Sequence, residues 1–469
     1  MAPGGLPGIG HMLQLGRRPM EFLESLRAYG PVVRVRVADG TLYMVNDHEI
    51  ARRILADDAG QFWRGRFFDR LRPVGGNGIV ISDGGFHRRQ RRIMQPAFSR
   101  DRIAAYSQVM HSRAEAMAST WRDGQAVRAD RAIRQHAVSI VTETMFSSAL
   151  AGAATAEVNR LLPVINETMF LRAVTPRWLD RVPYPVNRRL DAATRGLHRA
   201  IDQVIAACAS GAAGGDDLLS ALLSSTDPDT GEGMDAEQVR DEAINILLAG
   251  SETPATTISW ALHEISLRPE AQDRLRAEVA AAGALADPGG LPYARAVVLE
   301  ALRLHSTLLN PRTARCAVEL GGYRVPARSE VAFSPYALHR DPALFPEPAR
   351  FRPDRWLADR SPGAPTRHFM PFGAGPHKCI GDVFAMTEAV ITLAAIARRW
   401  RLEPAGGHVV RQRPGGMPRP SAVPLIVRAV TRLRARARLP RLAGRDGQDG
   451  PRPGRPQFLQ HDRLADRAG

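Results

Sequence analysis

The first sixty residues combine short apolar segments of two different periods. Residues Val32 to Val37 alternate between apolar and polar side chains, which is the pattern of a half-buried strand. Asp39 and Gly40 are turn-forming residues, and the segment from Thr41 to Val45 is again rich in apolar residues. Together these segments predict a β-hairpin near the N-terminus.

The middle of the chain has the spacing of amphipathic helices. This pattern runs from about residue 87 to about residue 310 and is broken by turn-forming clusters at 210–215 and 227–233. The segment from Glu237 to Leu267 is long and apolar enough to predict a helix that crosses the core. Proline-rich loops follow residue 310, and a last helix is predicted from about Val383 to Arg399. The fold class is therefore mainly α with small β-sheets.

Composition indicates a protein with a large buried core. The chain has 469 residues, of which 44% are hydrophobic. Its three cysteines do not form a disulfide framework, so we expect a reducing, cytoplasmic environment. No signal-like start and no apolar stretch of about 18 residues is found, so we expect no membrane anchor.

The net charge of +16 does not indicate a nucleic-acid partner. Lys378 is the single lysine, and the many arginines are typical of a GC-rich genome. Ten arginines and four aspartates lie in residues 431–469, so much of the excess charge belongs to the end of the chain. We predict one large domain over residues 1–428 and an Arg/Pro/Gly-rich, disordered tail over residues 429–469.

The strongest chemical signal is a glycine-rich loop around Cys379. The segment from Phe372 to Gly381 has the spacing Phe-x-x-Gly-x-x-x-Cys-x-Gly and is followed by the predicted last helix. Loop amides and a helix N-terminus are expected to lower the pKa of a thiol. Gly375 and Gly381 permit close approach of the backbone to a flat cofactor.

This spacing resembles the heme loop of the cytochrome P450 family, and the resemblance covers about residues 3–428. It implies the cytochrome P450 fold, with heme b between the long central helix and the cysteine loop. Cys379 is then the axial ligand of the heme iron, and Phe372 and Gly381 lie beside the cofactor.

The segment from Ala249 to Thr253, inside the central helix, is similar to the family's oxygen-binding groove. The resemblance implies that Ala249 and Gly250 leave room for dioxygen, that Thr253 donates a hydrogen bond to it, and that Glu252 relays protons. Pro254 lacks an N–H and clashes with the carbonyl of Gly250, so we expect the helix to open at Gly250.

Further family motifs surround these two segments. Glu300 and Arg303 match Glu-x-x-Arg, and Arg355 matches the third member of a buried structural cluster that supports the heme loop. The two heme propionates require cations, and the residues at matching positions are His87, Arg91, Arg312 and His377.

The substrate pocket is expected to be apolar, as suits a hydrocarbon substrate whose binding expels water. Asn310 is a candidate polar contact for an already oxygenated substrate. Three segments, which begin at His87, Pro183 and Cys379, most resemble bacterial terpene oxidases. The candidate pocket residues are Phe67, Phe68, Leu71, Ile246, Ala249, Leu308 and Leu309.

The resemblance implies a monooxygenase that inserts one atom of O2 into a hydrophobic small molecule, best matched by a terpene of secondary metabolism. The chain has no room for a flavin or nicotinamide domain, so electrons from NAD(P)H must come through an external ferredoxin and ferredoxin reductase. We expect a monomer. Two alternatives remain: a peroxide-using or isomerising heme-thiolate enzyme, and a non-catalytic heme sensor or carrier.

Overall fold

The structure is a computed structural model that describes residues 1–37, 40–146, 148–175, 182, 184–209, 217–283, 288–357 and 368–430. Residues Met1–Val430 form one compact unit. The predicted disordered tail lies, from residue 431 onward, outside the described residues.

Helices make up most of this unit, as the periodicity predicted. In chain order they are α1 (Met12–Arg17), α2 (Pro19–Ser25), α3 (His48–Leu55), α4 (Arg66–Asp69), α5 (Arg72–Gly75), α6 (Gly84–Met94), α7 (Arg100–Ser119), α8 (Ala129–Met145), α9 (Ser148–Val174), α10 (Pro185–Ala209), α11 (Leu218–Ser224), α12 (Ala236–Ser266), α13 (Pro269–Ala282), α14 (Pro292–Leu304), α15 (Pro335–Leu338) and α16 (Asp382–Arg399).

The strands form four small sheets. The largest has the order β1-β2-β8-β5-β3, a second has the order β4-β12-β9, and two hairpins pair β6 with β7 and β10 with β11. The strands are β1 (Val32–Val37), β2 (Gly40–Val45), β3 (Phe62–Trp63), β4 (Ala126–Arg128), β5 (Asn310–Ala314), β6 (Val318–Leu320), β7 (Tyr323–Val325), β8 (Glu330–Phe333), β9 (Trp400–Pro404), β10 (Gln412–Arg413), β11 (Arg419–Pro420) and β12 (Pro424–Ala429).

The predicted N-terminal hairpin is confirmed. Strands β1 and β2 are antiparallel, with Val33 opposite Met44 and Val35 opposite Leu42. Val33, Val35 and Met44 are buried while Arg34 is exposed, because successive side chains of a strand point to opposite faces.

The long central helix is also confirmed, as α12. It begins with a capping box, in which the Asp235 carboxylate accepts from the Gln238 N–H at 2.8 Å and the Gln238 side chain accepts from the Asp235 N–H. The helix packs against α8, α14 and α16 and ends before Pro269. It remains α-helical through Pro254, so the expected opening at Gly250 is wrong. The nitrogen of Pro254 still cannot donate a hydrogen bond to the Gly250 carbonyl.

The main hydrophobic core lies around the C-terminal half of α12. Its members come from α8, α12, α13, α14, α16 and β12, and include Ile133, Ile258, Leu275, Val297, Leu393 and Val427. Burying these side chains favours folding by about 1.5–3 kcal/mol each. None of the helices in the described part of the chain has the length and apolar character needed to span a bilayer.

Candidate active site

An internal cavity of about 330 Å³ lies where α12, α6, the end of α14 and the cysteine loop meet. Its wall brings together residues from distant parts of the sequence. The predicted residues that line it are His87, Arg91, Ile246, Ala249, Gly250, Thr253, Arg312, Phe372, His377, Cys379 and Gly381.

Cys379 lies on a tight loop that joins a single 3₁₀ turn, Gly375–His377, to α16. The Cys379 N–H donates to the Phe372 carbonyl at 2.9 Å and closes the loop. Gly375 has φ +66°, and a Cβ there would lie 2.0 Å from the Leu55 carbonyl oxygen, so this position requires glycine. The loop thus holds the thiol at the cavity surface.

The loop acts on the Cys379 thiol in the predicted direction, through the Gly381 N–H, but it does not set the net change in pKa. Burial raises the pKa of Cys379, and this outweighs the Gly381 N–H and the charges of Arg91 and Lys378, which act to lower it. A bound metal ion deprotonates a coordinating thiol through its own charge. Deprotonation of Cys379 as a ligand therefore depends on the metal and not on the loop alone.

The segment of α12 at the cavity exposes small side chains. Ala249, Gly250 and Thr253 line the cavity, and the Thr253 hydroxyl donates to the Ala249 carbonyl at 2.8 Å. A Cβ on Gly250 would lie 3.0 Å from Val141 Cγ2, so glycine also allows close packing of α12 against α8.

Glu252, in contrast, lies outside the cavity wall. Consecutive helical residues point about 100° apart, and the Glu252 side chain follows a different face of α12 from Thr253. One carboxylate oxygen accepts from Asn166 Nδ2 at 3.2 Å, and the other lies 3.5 Å from Arg419 Nη1. The structure thus separates the two members of the predicted acid–alcohol pair.

Basic side chains gather at one end of the cavity. The His87 and His377 rings lie 3.9 Å apart between centroids, and Arg91 Nη1 donates to the Lys378 carbonyl at 2.5 Å. Arg312 is buried and donates to Asn310 Oδ1 at 2.6 Å. The four predicted cationic residues therefore meet at one site.

Arg64 belongs to the same end of the cavity and was missed by sequence reasoning. No motif marks it, because its position depends on the pairing of β3 with β5, in which Trp63 lies opposite Thr313. That register brings Arg64, the next residue, beside Arg312. Burial, together with the nearby Arg312 charge, lowers the pKa of Arg64 to about 9.

Arg312 and His87 are also destabilised as cations. Burial lowers the pKa of Arg312 to about 10. Burial, with the charges of His377, Arg64 and Arg91, lowers the pKa of His87 to about 3. Arg64 Nε and His377 Nδ1 are buried without a hydrogen-bond partner in the described part of the chain. Such a site is suited to an anionic group that would supply the missing charge and acceptors.

Asp83 is a second residue that sequence reasoning missed. It accepts hydrogen bonds from the backbone N–H groups of Arg64 and Gly84, both at 2.7 Å, and lies 3.3 Å from His377 Nε2. Although burial acts to raise the pKa of Asp83, these hydrogen bonds lower it well below its usual range. Asp83 thus connects the strand that precedes Arg64 to the cysteine loop.

The predicted cluster of Glu300, Arg303 and Arg355 is formed, with Glu300 and Arg303 fully buried and Arg355 partly buried. Arg303 donates twice to Glu300, both at 2.9 Å, and Arg355 Nε donates to it at 3.0 Å. Arg303 also donates to the carbonyls of His339, Pro348 and Arg350. The cluster joins α14 to the segment that leads to the cysteine loop.

Two of the seven residues predicted for the substrate pocket line this cavity. Ile246 and Ala249 line the cavity, whereas Phe67, Phe68, Leu71, Leu308 and Leu309 do not.

Local packing explains why several of the predicted residues lie outside the cavity wall. Phe68 is buried beneath Arg64, whose guanidinium carbon lies 4.5 Å from the centre of the Phe68 ring. The ring of Phe67 packs edge-on against the ring of Phe68. Leu308 and Leu309 join an N-terminal cluster with Phe22 and Val35. The apolar wall is formed instead by residues from several elements, including Ile79, Val80, Phe98, Val141, Leu302 and Met417.

The fold and this cavity define a helical enzyme with a cysteine-lined cofactor site, and comparison with known proteins identifies its family. The family model of cytochrome P450 matches residues 1–422. The chain therefore belongs to the cytochrome P450 family, and it is an oxidoreductase whose family membership implies heme iron and O2.

Relatives and a solved structure agree with this assignment. The chain is 40% identical over 424 residues to "Cyclooctatin synthase" of Streptomyces melanosporofaciens, covering 88% of this chain and 92% of that protein. It is 37% identical over 413 residues to "Cyclooctat-9-en-7-ol 5-monooxygenase" of the same organism, covering 87% and 90%. It is 35% identical over 407 residues to "Pentalenene oxygenase" of Streptomyces avermitilis, covering 86% and 90%. The crystal structure of the cytochrome P450DA heme domain matches with a TM-score of 0.81 and 25% identity, covering 91% of this chain and 96% of that one.

Proposed function

We propose that this protein is a heme-thiolate monooxygenase that inserts one oxygen atom from O2 into a terpene or terpenoid. The observation that carries the proposal is the cavity itself. It combines one thiol, Cys379, with the small-residue face of α12 and a basic end where, among the described residues, Arg64 Nε and His377 Nδ1 are buried without a hydrogen-bond partner. Heme b fits this set because it requires an axial ligand, room on its other face and partners for two carboxylates.

The roles of the residues follow from this placement. Cys379 would bind the iron, and electron donation from a thiolate favours cleavage of the O–O bond. His87, Arg91, Arg312 and His377, with Arg64, would hold the propionates. Phe372 and Gly381 would lie against the heme. When bound, the heme supplies the iron that binds and activates O2.

Thr253 and Glu252 are proposed to control the proton at the cavity. The Thr253 hydroxyl lines the cavity and can exchange its hydrogen bond to the Ala249 carbonyl for one to a bound ligand. A proton held on the Glu252 carboxyl can reach the cavity only after this side chain leaves Asn166 and Arg419. Thr253 therefore positions the proton, and Glu252 supplies it.

The substrate class rests on the apolar wall and on the relatives. Two relatives are named for oxidation of cyclooctat-9-en-7-ol and pentalenene. Asn310 lines the cavity and accepts from Arg312 through Oδ1, which leaves its NH2 group oriented away from the arginine. We assign that group as a donor to an oxygen already present on the substrate.

Electrons are proposed to come from NAD(P)H through an external ferredoxin and ferredoxin reductase, with the basic charge of the protein steering an acidic ferredoxin. This steering predicts that the reduction rate falls as ionic strength rises. We also propose a cytoplasmic monomer that acts in secondary metabolism. The three free cysteines fit a reducing compartment.

The alternatives are a peroxide-using or isomerising enzyme and a heme sensor. The Thr253 hydroxyl at the cavity favours the monooxygenase, because an enzyme that does not activate O2 has no need of a hydroxyl there to pass on a proton.

The proposed function is tested by reconstitution of the purified heme protein with ferredoxin, reductase and NADPH. The substrates are cyclooctat-9-en-7-ol and pentalenene, followed by a terpene panel ranked by spectral shift of the ferric heme. We expect O2 consumption that matches product formation. Product formed from peroxide alone, or heme binding without turnover across the panel, would contradict the proposal.

A further inference from the structure

The loop between α5 and α6 forms part of the cavity wall, yet its backbone is held by side chains of α12. Ile79 and Val80 of this loop line the cavity. Asp241, Glu242 and Asn245 lie on the first turns of α12, and all three are buried.

These three side chains bind four backbone groups of the loop. Asp241 accepts from the Asn77 N–H at 2.7 Å, and Glu242 accepts from the Ile79 N–H at 2.8 Å. Asn245 accepts from the Val80 N–H at 3.1 Å and donates to the Gly75 carbonyl at 2.7 Å. Residues spaced i, i+1 and i+4 on α12 thus hold peptide groups along the loop from Gly75 to Val80.

The glycines of the loop make this approach sterically possible. A Cβ on Gly76 would lie 2.0 Å from Asp241 Oδ2, and one on Gly78 would lie 2.2 Å from Asn245 Nδ2. Gly76 also has φ +55°, which favours glycine. Only a loop with glycine at both positions can lie this close to α12.

Asn245 lines the cavity, but its amide is already engaged. Its two N–H bonds donate to the carbonyls of Gly75 and Asp241, both at 2.7 Å. It therefore has no hydrogen to offer a ligand. Its effect on the pocket is to place Ile79 and Val80.

We propose that Asp241, Glu242 and Asn245 are positioning residues that fix the Gly75–Val80 loop as a rigid wall of the substrate pocket and thereby set which ligand shapes bind. This inference rests on the proposed heme site but not on turnover. Because the loop is already ordered, a ligand that contacts this wall binds without the free-energy cost of ordering the loop.

Some substitutions on α12 remove a hydrogen bond that holds the Gly75–Val80 loop, and others keep it. Asp241→Ala and Glu242→Leu each remove one acceptor, whereas Asp241→Asn and Glu242→Gln keep an oxygen in the same place. Glu237→Ala is the matched control, because Glu237 is exposed on the same helix and its ion pair within the described residues is with Arg240.

The probes are imidazole and 4-phenylimidazole, which bind ferric heme through nitrogen and differ by a ring that must occupy the pocket. We expect Asp241→Ala and Glu242→Leu to accelerate amide exchange in residues 75–80 roughly tenfold, as one lost hydrogen bond of about 1.4 kcal/mol implies. They should weaken 4-phenylimidazole about fivefold or more while leaving the imidazole affinity and the CO-bound spectrum unchanged. In loop exchange and in azole affinity, Asp241→Asn, Glu242→Gln and Glu237→Ala should behave like the wild type.

Two outcomes would overturn the proposal. One is equal weakening of both azoles or loss of the CO-bound spectrum in both releasing variants, which would show a merely structural role. The other is faster loop exchange with an unchanged ratio of the two affinities. Neither outcome depends on whether the protein oxidises a terpenoid, so failure here is distinct from failure of the proposed function.

Discussion

Replacing Glu300 with glutamine should destabilise the fold far more than the same change at a nearby surface glutamate. The Glu300 carboxylate accepts from Arg303 twice, from Arg355, from Trp356 Nε1 at 2.9 Å and from the Arg352 N–H at 2.8 Å. It accepts only, so five donors converge on two oxygens. In a glutamine, an NH2 group would replace one of those oxygens and would face N–H donors from which it cannot accept a hydrogen bond.

The cost follows from burial. Glu300 and Arg303 are both fully buried, and removing the carboxylate charge leaves a buried guanidinium without its counter-ion. Breaking a buried pair in this way costs about 3–5 kcal/mol. The control is Glu347→Gln, since Glu347 pairs with Arg350 and Arg352 on the surface. Its loss should cost no more than about 1 kcal/mol.

The measurement is urea unfolding of the heme-loaded protein, followed by circular dichroism and by loss of the CO-bound spectrum. The two probes report the fold and the cysteine loop separately. We expect Glu300→Gln to lower both midpoints and to release heme first, because the cluster joins α14 to the segment before that loop. Equal stability of the two variants would refute this reasoning.

Four further predictions concern the site. Cys379→Ala should abolish the red-shifted CO-bound band, and persistence of that band would exclude Cys379 as the ligand. Thr253→Val should lower the product formed per O2 consumed about tenfold or more, measured with an oxygen electrode and product analysis, whereas unchanged coupling would remove Thr253 from proton delivery. Arg64→Met should weaken heme retention roughly tenfold in transfer to apomyoglobin, and the exposed Arg66→Met should not. For Glu242, whose pKa burial raises to about 8, protonation stabilises the fold below about pH 4.5, and this contribution is lost as the pH rises to about 8. The free energy of unfolding of Glu242→Gln should therefore rise relative to that of the wild type between pH 6 and pH 8. The difference should be a few kcal/mol at most, on the order of 1.36 kcal/mol per pKa unit. A pH-independent difference would contradict this prediction.

The position of Glu252 links α12 to a hairpin that also forms part of the cavity wall. Arg419, which pairs with Glu252, lies in β11, and the turn before β11 carries Met417 into the cavity wall. Trp260 of α12 holds the same turn by donating to the Pro418 carbonyl at 2.7 Å. The β10–β11 hairpin thus contacts both the proposed proton donor and the pocket.

The local sequence determined those helices and strands whose residue patterns extend over only a few positions. The alternation in β1 and the capping residues of α12 depend on neighbours within a few positions, so periodicity was sufficient to predict them. The loop around Cys379 is local in its closing hydrogen bond, which joins Cys379 to Phe372, whereas the approach of Gly375 to the Leu55 carbonyl is a tertiary contact. Glu300 and Arg303 are one helical turn apart and could be paired from spacing alone.

Only the tertiary structure decided which distant residues meet. Arg64 reaches the cationic end of the cavity through the β3–β5 register, and Asp83 through its contact with the cysteine loop. Leu308 and Leu309 were expected in the pocket but pack against the N-terminal cluster, because an apolar side chain carries no mark of which core it joins. The hold of α12 on the Gly75–Val80 loop joins residues more than 160 positions apart, and no local pattern encodes such a distance.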